Sequence, residues 1–222
     1  MKILVIGSTG GSGRATVERL LADGHAVTAF SRHADRTELR SERLRFVNGD
    51  ATDPDAVNRA VAGHDAVIVT LGISENPLRV RLLGPARTPI DVRSAGTRNV
   101  IAAMRRHGVR RLVVQTTYGV GETRDRLRTI DALFFALLLH PQIVDTERQH
   151  QLVVDSGLEW VVVQPVHLTD DAQDVDPFVS VTGDTQAMKV SRTSVARFLS
   201  RAATMPHWVH REVALSGARD AA

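Results

Sequence analysis

Residues Lys2 to Leu21 read KILVIGSTGGSGRATVERLL: an aliphatic run, a glycine-dense turn, then apolar residues at helical spacing. Within the turn, Gly7, Gly10 and Gly13 stand three residues apart between a predicted strand and a predicted helix. In that context Gly7 permits a tight turn, Gly10 lets the backbone approach a diphosphate, and Gly13 lets the helix pack against the sheet. The helix N-terminus then presents its unpaired N–H groups to the anion. Thr9 and Ser12 add hydroxyl donors. The spacing also suits a glycine-rich turn with no ligand. It is not a P-loop, because no Gly-Lys-Ser/Thr follows.

Outward from this stretch, two periodicities alternate. Apolar runs at 3–6, 26–30, 44–47, 66–70, 112–115 and 160–164 read as strands; 15–21, 56–62, 94–107 and 144–156 carry apolar residues every three or four positions and read as helices. Gly24, Gly63, Gly108 and Gly157 follow the four helices as C-terminal caps. Strands that are apolar along their whole length, rather than alternating, belong to a parallel sheet covered on both faces. The expected fold is therefore α/β, a single doubly wound parallel-sheet (Rossmann) domain over residues 1–222. Two segments break the rhythm, near 73–93 and 118–143, and both follow strand carboxyl ends, where open α/β sheets bind ligands. They are expected to face substrate, with a C-terminal substrate or cap region near 168–190.

Composition narrows the function classes. The 222 residues are 43% hydrophobic and 24% charged, ordinary for a globular domain, and no repeat or low-complexity linker divides them. A net charge of +3 falls far short of the clustered basic footprint of a nucleic-acid binder, so none is expected as partner. With no cysteine there is no disulfide, thiolate nucleophile or cysteine-ligated metal. The nine histidines show no HExxH-like spacing, and no metal is expected. The longest apolar run, Ala132 to Leu139, is too short for a membrane span, and it suits core or subunit packing, a lid or a substrate wall. The expected protein is soluble and cytoplasmic, a monomer or homodimer, with a small-molecule acceptor as its partner.

The end of the second strand bears on which dinucleotide the turn holds. An Asp or Glu there would accept from a ribose 2′-hydroxyl, whereas this chain has Ser31-Arg32 and then Arg36, which favour a 2′-phosphate. Two arginines on a solvated loop would look the same in sequence. Asp50, after the third strand, is either an acceptor for an adenine amino group or a turn aspartate.

GSTGGSG, SRHADR, NGDATD, AVIVTLG, SAGTRNVIAAMRRHGVRRLVVQTT and SGLEWVVVQPVH, in that order, resemble the atypical short-chain dehydrogenase/reductases. The resemblance is to the group around biliverdin-IXβ reductase/flavin reductase and the NmrA-like NAD(P)-binding proteins. It covers residues 1 to about 170, and MKVSRTSVARFL resembles the family's last strand and helix more loosely. It implies NADP(H), preferred over NAD(H), held by Gly7, Thr9, Gly10, Gly11, Ser12 and Gly13, with Arg32 and Arg36 at the 2′-phosphate. Asp50 and Ala51 would then lie at adenine, Leu71 and Gly72 along the ribose, and Thr116 and Pro165 on the nicotinamide side.

Most members of the superfamily use a Tyr-x-x-x-Lys pair, in which the ammonium eases proton loss from the phenol. Here Tyr118 is the one tyrosine, Glu122 stands four residues on, and lysine occurs only at Lys2 and Lys189. The dyad is missing. In the biliverdin/flavin reductase group a serine hydroxyl and a histidine stand where this chain has Thr117 and His167. Those two become the candidate proton-handling or orienting residues, with Tyr118 in reserve. Thr117 could equally end a strand and His167 sit in a loop bonded to backbone. Asp145, Glu147, Arg148 and His150 read as a solvated helix face. The implied activity is NADPH-dependent reduction of a flavin, quinone or similar planar acceptor; a non-catalytic NmrA-like dinucleotide sensor is the rival, and a sugar-nucleotide epimerase is disfavoured by the missing dyad.

Overall fold

Ile3, Leu4, Val5 and Ile6 are fully buried, although side chains on a strand point alternately to opposite faces. Both faces must therefore be covered. Ile3 and Val5 join a core with Val17, Leu20, Phe198 and Leu199, while Leu4 and Ile6 join a second with Val57, Val61, Val100 and Met104. Each such aliphatic side chain contributes about 1.5–3 kcal/mol when fully buried. The two cores together account for the unbroken apolar runs in the sequence.

The computed structural model describes residues 1–73, 84, 86, 88–126, 140–171 and 175–218. Along them run β1 (Lys2–Ile6), α1 (Gly11–Ala22), β2 (Ala26–Ser31), β3 (Leu44–Asn48), α2 (Pro54–Val61), β4 (Ala66–Val69), α3 (Val92–His107) and β5 (Arg111–Gln115). They are followed by α4 (His140–Val154), β6 (Glu159–Pro165), β7 (His167–Thr169), β8 (Phe178–Ser180), β9 (Lys189–Ser191), α5 (Arg192–Thr204) and β10 (Arg211–Ser216). The main sheet has eight strands among the described residues, in the order β3-β2-β1-β4-β5-β6-β10-β8. All pairs are parallel except β10 with β8, so the doubly wound sheet ends in an antiparallel edge strand. α1 and α5 pack on one face; α2, α3 and α4 pack on the other.

Several boundaries differ from the sequence expectation for physical reasons. The first helix begins at Gly11 rather than residue 15, because the turn itself takes helical geometry: Gly10 is the N-cap and the Arg14 N–H donates to its carbonyl at 2.8 Å. β3 is half-buried at Leu44, Phe46 and Val47 and exposed at Arg45 and Asn48 instead of being buried throughout, as befits an edge strand. Among the described residues the fourth helix is already formed at His140, ahead of the expected 144. β10 has no counterpart in the sequence reading, yet it lies parallel to β6 along Arg211–Leu215. The run Ala132 to Leu139, and most of 73–93 before Thr88, lie outside the described residues. Gly24, Gly63, Gly108 and Gly157 all have positive φ, as their capping role demands.

Candidate functional site

The chain runs from β1 outward to β2 and β3, then returns to β4 on the other side of β1, so the sheet has its switch point between β1 and β4. Ligands of open α/β sheets bind outside the carboxyl ends at that point. The Thr70 hydroxyl, just past β4, donates to the carbonyls of Ile6 (3.1 Å) and Gly7 (3.3 Å) and so sews the crevice floor. A cleft of about 320 Å³ opens there, walled by Gly7, Thr9, Gly10, Gly11, Arg32, Asp50, Ala51, Leu71 and Gly72.

The glycines of the turn have separate tasks. Gly7 has φ +88°, and a Cβ there would stand 2.8 Å from the Thr70 carbonyl oxygen. A Cβ on Gly13 would collide with the Gly7 carbonyl oxygen. These two make the strand-turn-helix geometry. A Cβ on Gly10 would meet nothing nearer than the Gly7 carbonyl oxygen at 3.6 Å, so its bare face looks into the cleft. The Gly10 N-cap supplies no side-chain acceptor to the first turn of α1, and that turn holds no acid. Its N–H groups, and the positive end of the helix dipole, are left for an anion. The Ser12 hydroxyl, by contrast, faces inward and accepts from Gln115 Nε2 at 3.2 Å, tying α1 to β5.

The remaining expected cofactor residues divide. Arg32 lines the cleft and donates to the Thr88 hydroxyl at 3.0 Å. Arg36 lines an adjoining hollow of about 80 Å³ with Ser8, Thr9, Arg14 and Thr37. The buried hydroxyls of Ser31, in the cleft, and Ser8, in the hollow, find no hydrogen-bond partner among the described residues. These orphaned groups and the bare Gly10 face fit a phosphorylated nucleotide. One Asp50 oxygen, Oδ1, accepts from the Thr52 N–H (2.8 Å) and hydroxyl (2.7 Å); Asp50 is thus a turn aspartate that also borders the cleft.

On the other side, Thr116 and Tyr118 continue the β5–β6 ladder: their N–H groups donate to Val163 (2.8 Å) and Pro165 (3.0 Å) carbonyls. Thr116, Tyr118 and Pro165 are buried, and Thr117 between the first two is half-buried. His167, two residues past Pro165, is exposed at the head of β7. Thr117 and His167 therefore issue from adjacent strand ends, but neither they nor Thr116 and Pro165 line the cleft described above. The Tyr118 hydroxyl donates to the Gly183 carbonyl at 2.8 Å. Burial pushes its phenol above the usual range, with Asp184 adding to the rise and Arg126 opposing it.

A support layer in α3 and α4 escaped the sequence reading. Arg93 Nη1 donates to the Leu71 carbonyl (2.7 Å), Asn99 Nδ2 to the Ala51 carbonyl (3.0 Å), and Gly96 lies close against both Leu71 and Ala51. Asp145 is not on a solvated face: it is 4% exposed and caps α3, accepting from the N–H groups of Arg93 (3.0 Å) and Ser94 (3.2 Å) and from the Ser94 hydroxyl (2.5 Å). His150 is likewise covered, paired with Glu212 of β10 at 2.7 Å. No local pattern marks either residue, because the partners lie 51 and 62 positions away.

Comparison with known proteins agrees with this geometry. A 2-alkyl-3-oxoalkanoate reductase of Stenotrophomonas maltophilia is 40% identical over 120 residues, 54% of this chain and 34% of the relative, so the chain spans about a third of that relative's length. ChuY, an anaerobilin reductase from Escherichia coli O157:H7, superposes with TM-score 0.78 at 21% identity, covering 99% of this chain and 98% of its own. A short-chain dehydrogenase/reductase from Veillonella parvula DSM 2008 in complex with NADP gives 0.73 at 15% identity, with 97% and 94% covered. Among the described residues no helix is long and apolar enough to cross a membrane. The model of the NAD(P)H-binding family matches residues 7–206, nearly the whole chain from the glycine turn onward, and the protein belongs to that family.

Proposed function

We propose that the protein is an NADPH-dependent reductase that passes a hydride to a planar acceptor such as a flavin, a quinone or a related small molecule. The carrying observation is the switch-point cleft, with its bare Gly10 face and orphaned hydroxyls, beside strand ends that bear Thr117 and His167. When bound, the nicotinamide supplies the hydride. The chain's part is to hold the dinucleotide through the glycine turn, Arg32, Arg36 and Asp50, and to orient the acceptor through Thr117 and His167. The accompanying proton comes from His167 or from solvent.

Three further points support this reading. Tyr118 has no lysine partner and its hydroxyl is committed to Gly183, which argues against alcohol oxidation by a phenol–lysine pair. The Stenotrophomonas relative and the E. coli neighbour are both named reductases. Arginines at the end of β2 and the NADP complex of the Veillonella neighbour favour NADP(H) over NAD(H). The test is steady-state oxidation of NADPH and NADH with flavin, quinone and dye acceptors. Turnover with NADPH and at least one acceptor is expected. Tight NADPH binding with no oxidation across the panel would instead indicate a non-catalytic dinucleotide sensor.

A further inference from the structure

Arg192, the first residue of α5, lays its side chain across the glycine turn. Its Nε and Cδ stand 2.7 and 2.8 Å from the point that a Cβ on Gly11 would occupy. Gly11 is thus bare to make room for a guanidinium, a task distinct from those of Gly7, Gly10 and Gly13. The arginine side chain is 27% exposed, and its Nη1 pairs at 2.5 Å with Asp170, whose side chain is 86% exposed. The pair is held by the small parallel sheet: β7 and β9 run in register through Thr169 and Ser191, and Asp170 and Arg192 are the next residues on each.

The electrostatics of this arrangement are incomplete. A guanidinium here lies at the N-terminal end of α1, where the backbone already presents positive partial charge, and it begins the first turn of α5, where the same holds. Neither first turn contains an acid. Asp170 meets the arginine from the solvent side. A cation in this position is favourable when a second anion lies over the glycine turn, and a guanidinium presents a fork of donors suited to phosphate oxygens.

We infer that Arg192 is a ligand of the dinucleotide's diphosphate, held over Gly11 by Asp170 until that anion arrives. The inference rests on the dinucleotide reading of the glycine turn and adds a contact from the far end of the chain, so that binding joins the β7/β9 pair to the β1–α1 turn. Asp170 and the diphosphate share the arginine; losing Asp170 leaves the guanidinium less well placed but does not abolish its charge.

The test titrates full-length wild type, Arg192→Ala, Arg192→Lys and Asp170→Asn with NADPH and, at millimolar concentration, with adenosine 2′-monophosphate, which keeps the adenosine and 2′-phosphate but lacks the diphosphate. Arg192→Ala should weaken NADPH by about ten- to a hundredfold, the range for one hydrogen bond to a charged group. It should leave adenosine 2′-monophosphate within about twofold and flatten the salt dependence of NADPH binding. Arg192→Lys should recover part of the loss, since it restores charge without the fork. Unchanged NADPH affinity in Arg192→Ala, or an equal loss for both ligands, would overturn the assignment while leaving the dinucleotide reading intact. Failure of wild type to bind NADPH would overturn both.

Discussion

The carbonyl oxygen of Gly7 fills the space that a Cβ on Gly13 would need, whereas a Cβ on Gly10, midway between them, would meet the same oxygen only at an ordinary 3.6 Å and would border the cleft. The same substitution should therefore act differently at two positions three residues apart. Gly13→Ala forces the backbone of the turn apart and should cost about 1–3 kcal/mol, lowering Tm by roughly 2–12 °C. Gly10→Ala, at φ −69°, should melt within about 2 °C of wild type yet weaken NADPH at least about tenfold. Thermal melts and titrations on both variants check this. A Gly10→Ala protein with wild-type affinity would mean the diphosphate lies elsewhere.

Arg32 and Arg36 look onto different hollows, so their substitutions separate two places for a 2′-phosphate. Removing a residue that contacts it should cost about 1.5–3 kcal/mol in NADPH binding and leave NADH untouched. The ratio of the two affinities in Arg32→Ala and Arg36→Ala is the measurement. An unchanged ratio in both variants removes the basis for an NADP preference.

If His167 acts on the acceptor as proposed, His167→Ala should lower turnover with an accepted substrate by about 10- to 1000-fold while NADPH affinity stays close to wild type. Thr117→Val keeps the side-chain shape and removes one hydrogen bond, worth about 1 kcal/mol, or roughly fivefold in rate. Wild-type turnover in the double variant would leave hydride transfer to proximity alone.

Asp145 gathers three donors at the start of α3, which in turn holds Leu71 and Ala51 at the cleft wall. Asp145→Ala leaves buried N–H groups without an acceptor and should cost about 2–3 kcal/mol. A Tm drop of roughly 4–12 °C is expected, with weaker NADPH binding as the loop after β4 loosens. A variant as stable as wild type would show that α3 is held by packing alone.

His64 bonds to the Thr28 hydroxyl at 2.8 Å, and burial, with the Arg45 charge adding to it, holds its imidazole below the usual value near 6.5 despite the Val61 and Ala62 backbone and Asp65. The folded protein binds this proton less readily than the unfolded chain does. Stability is therefore full above the unfolded value and falls as pH drops below about 6.5, until the folded imidazole is itself protonated. His25, lowered chiefly by burial and then by the N-terminal ammonium, acts in the same sense. Tm of His64→Gln should decline less steeply between pH 7 and 5 than that of wild type. Parallel curves would show that His64 takes no part in acid destabilisation.

What the sequence disclosed follows from the distance over which its signals act. Five of the first six strands are short, largely buried runs, β3 keeps enough apolar residues to show beside them, and the glycine turn is a local pattern with a local cause, so all are readable without a partner in view. β10 is not, because REVALS at Arg211–Ser216 gains its meaning from β6, some fifty residues earlier. Missing that strand also hides the surroundings of His150, whose partner Glu212 it carries. Asp145 reads as solvated for the same reason, since a charge on a helix gives no sign of the element that covers it, and Arg192 draws no reading of its own.

The insertion of β10 beside β6 has a consequence for how the chain is made. Until Arg211–Ser216 has left the ribosome, β6 is the outermost parallel strand, and the backbone groups beside Val161, Val162 and Val163 have no partner on that side. Such an edge is a template for pairing with another chain. The nascent protein thus carries an open parallel edge, at what becomes an interior position of the finished sheet, for the time taken to translate the intervening segment, and chaperone demand should be concentrated in that interval.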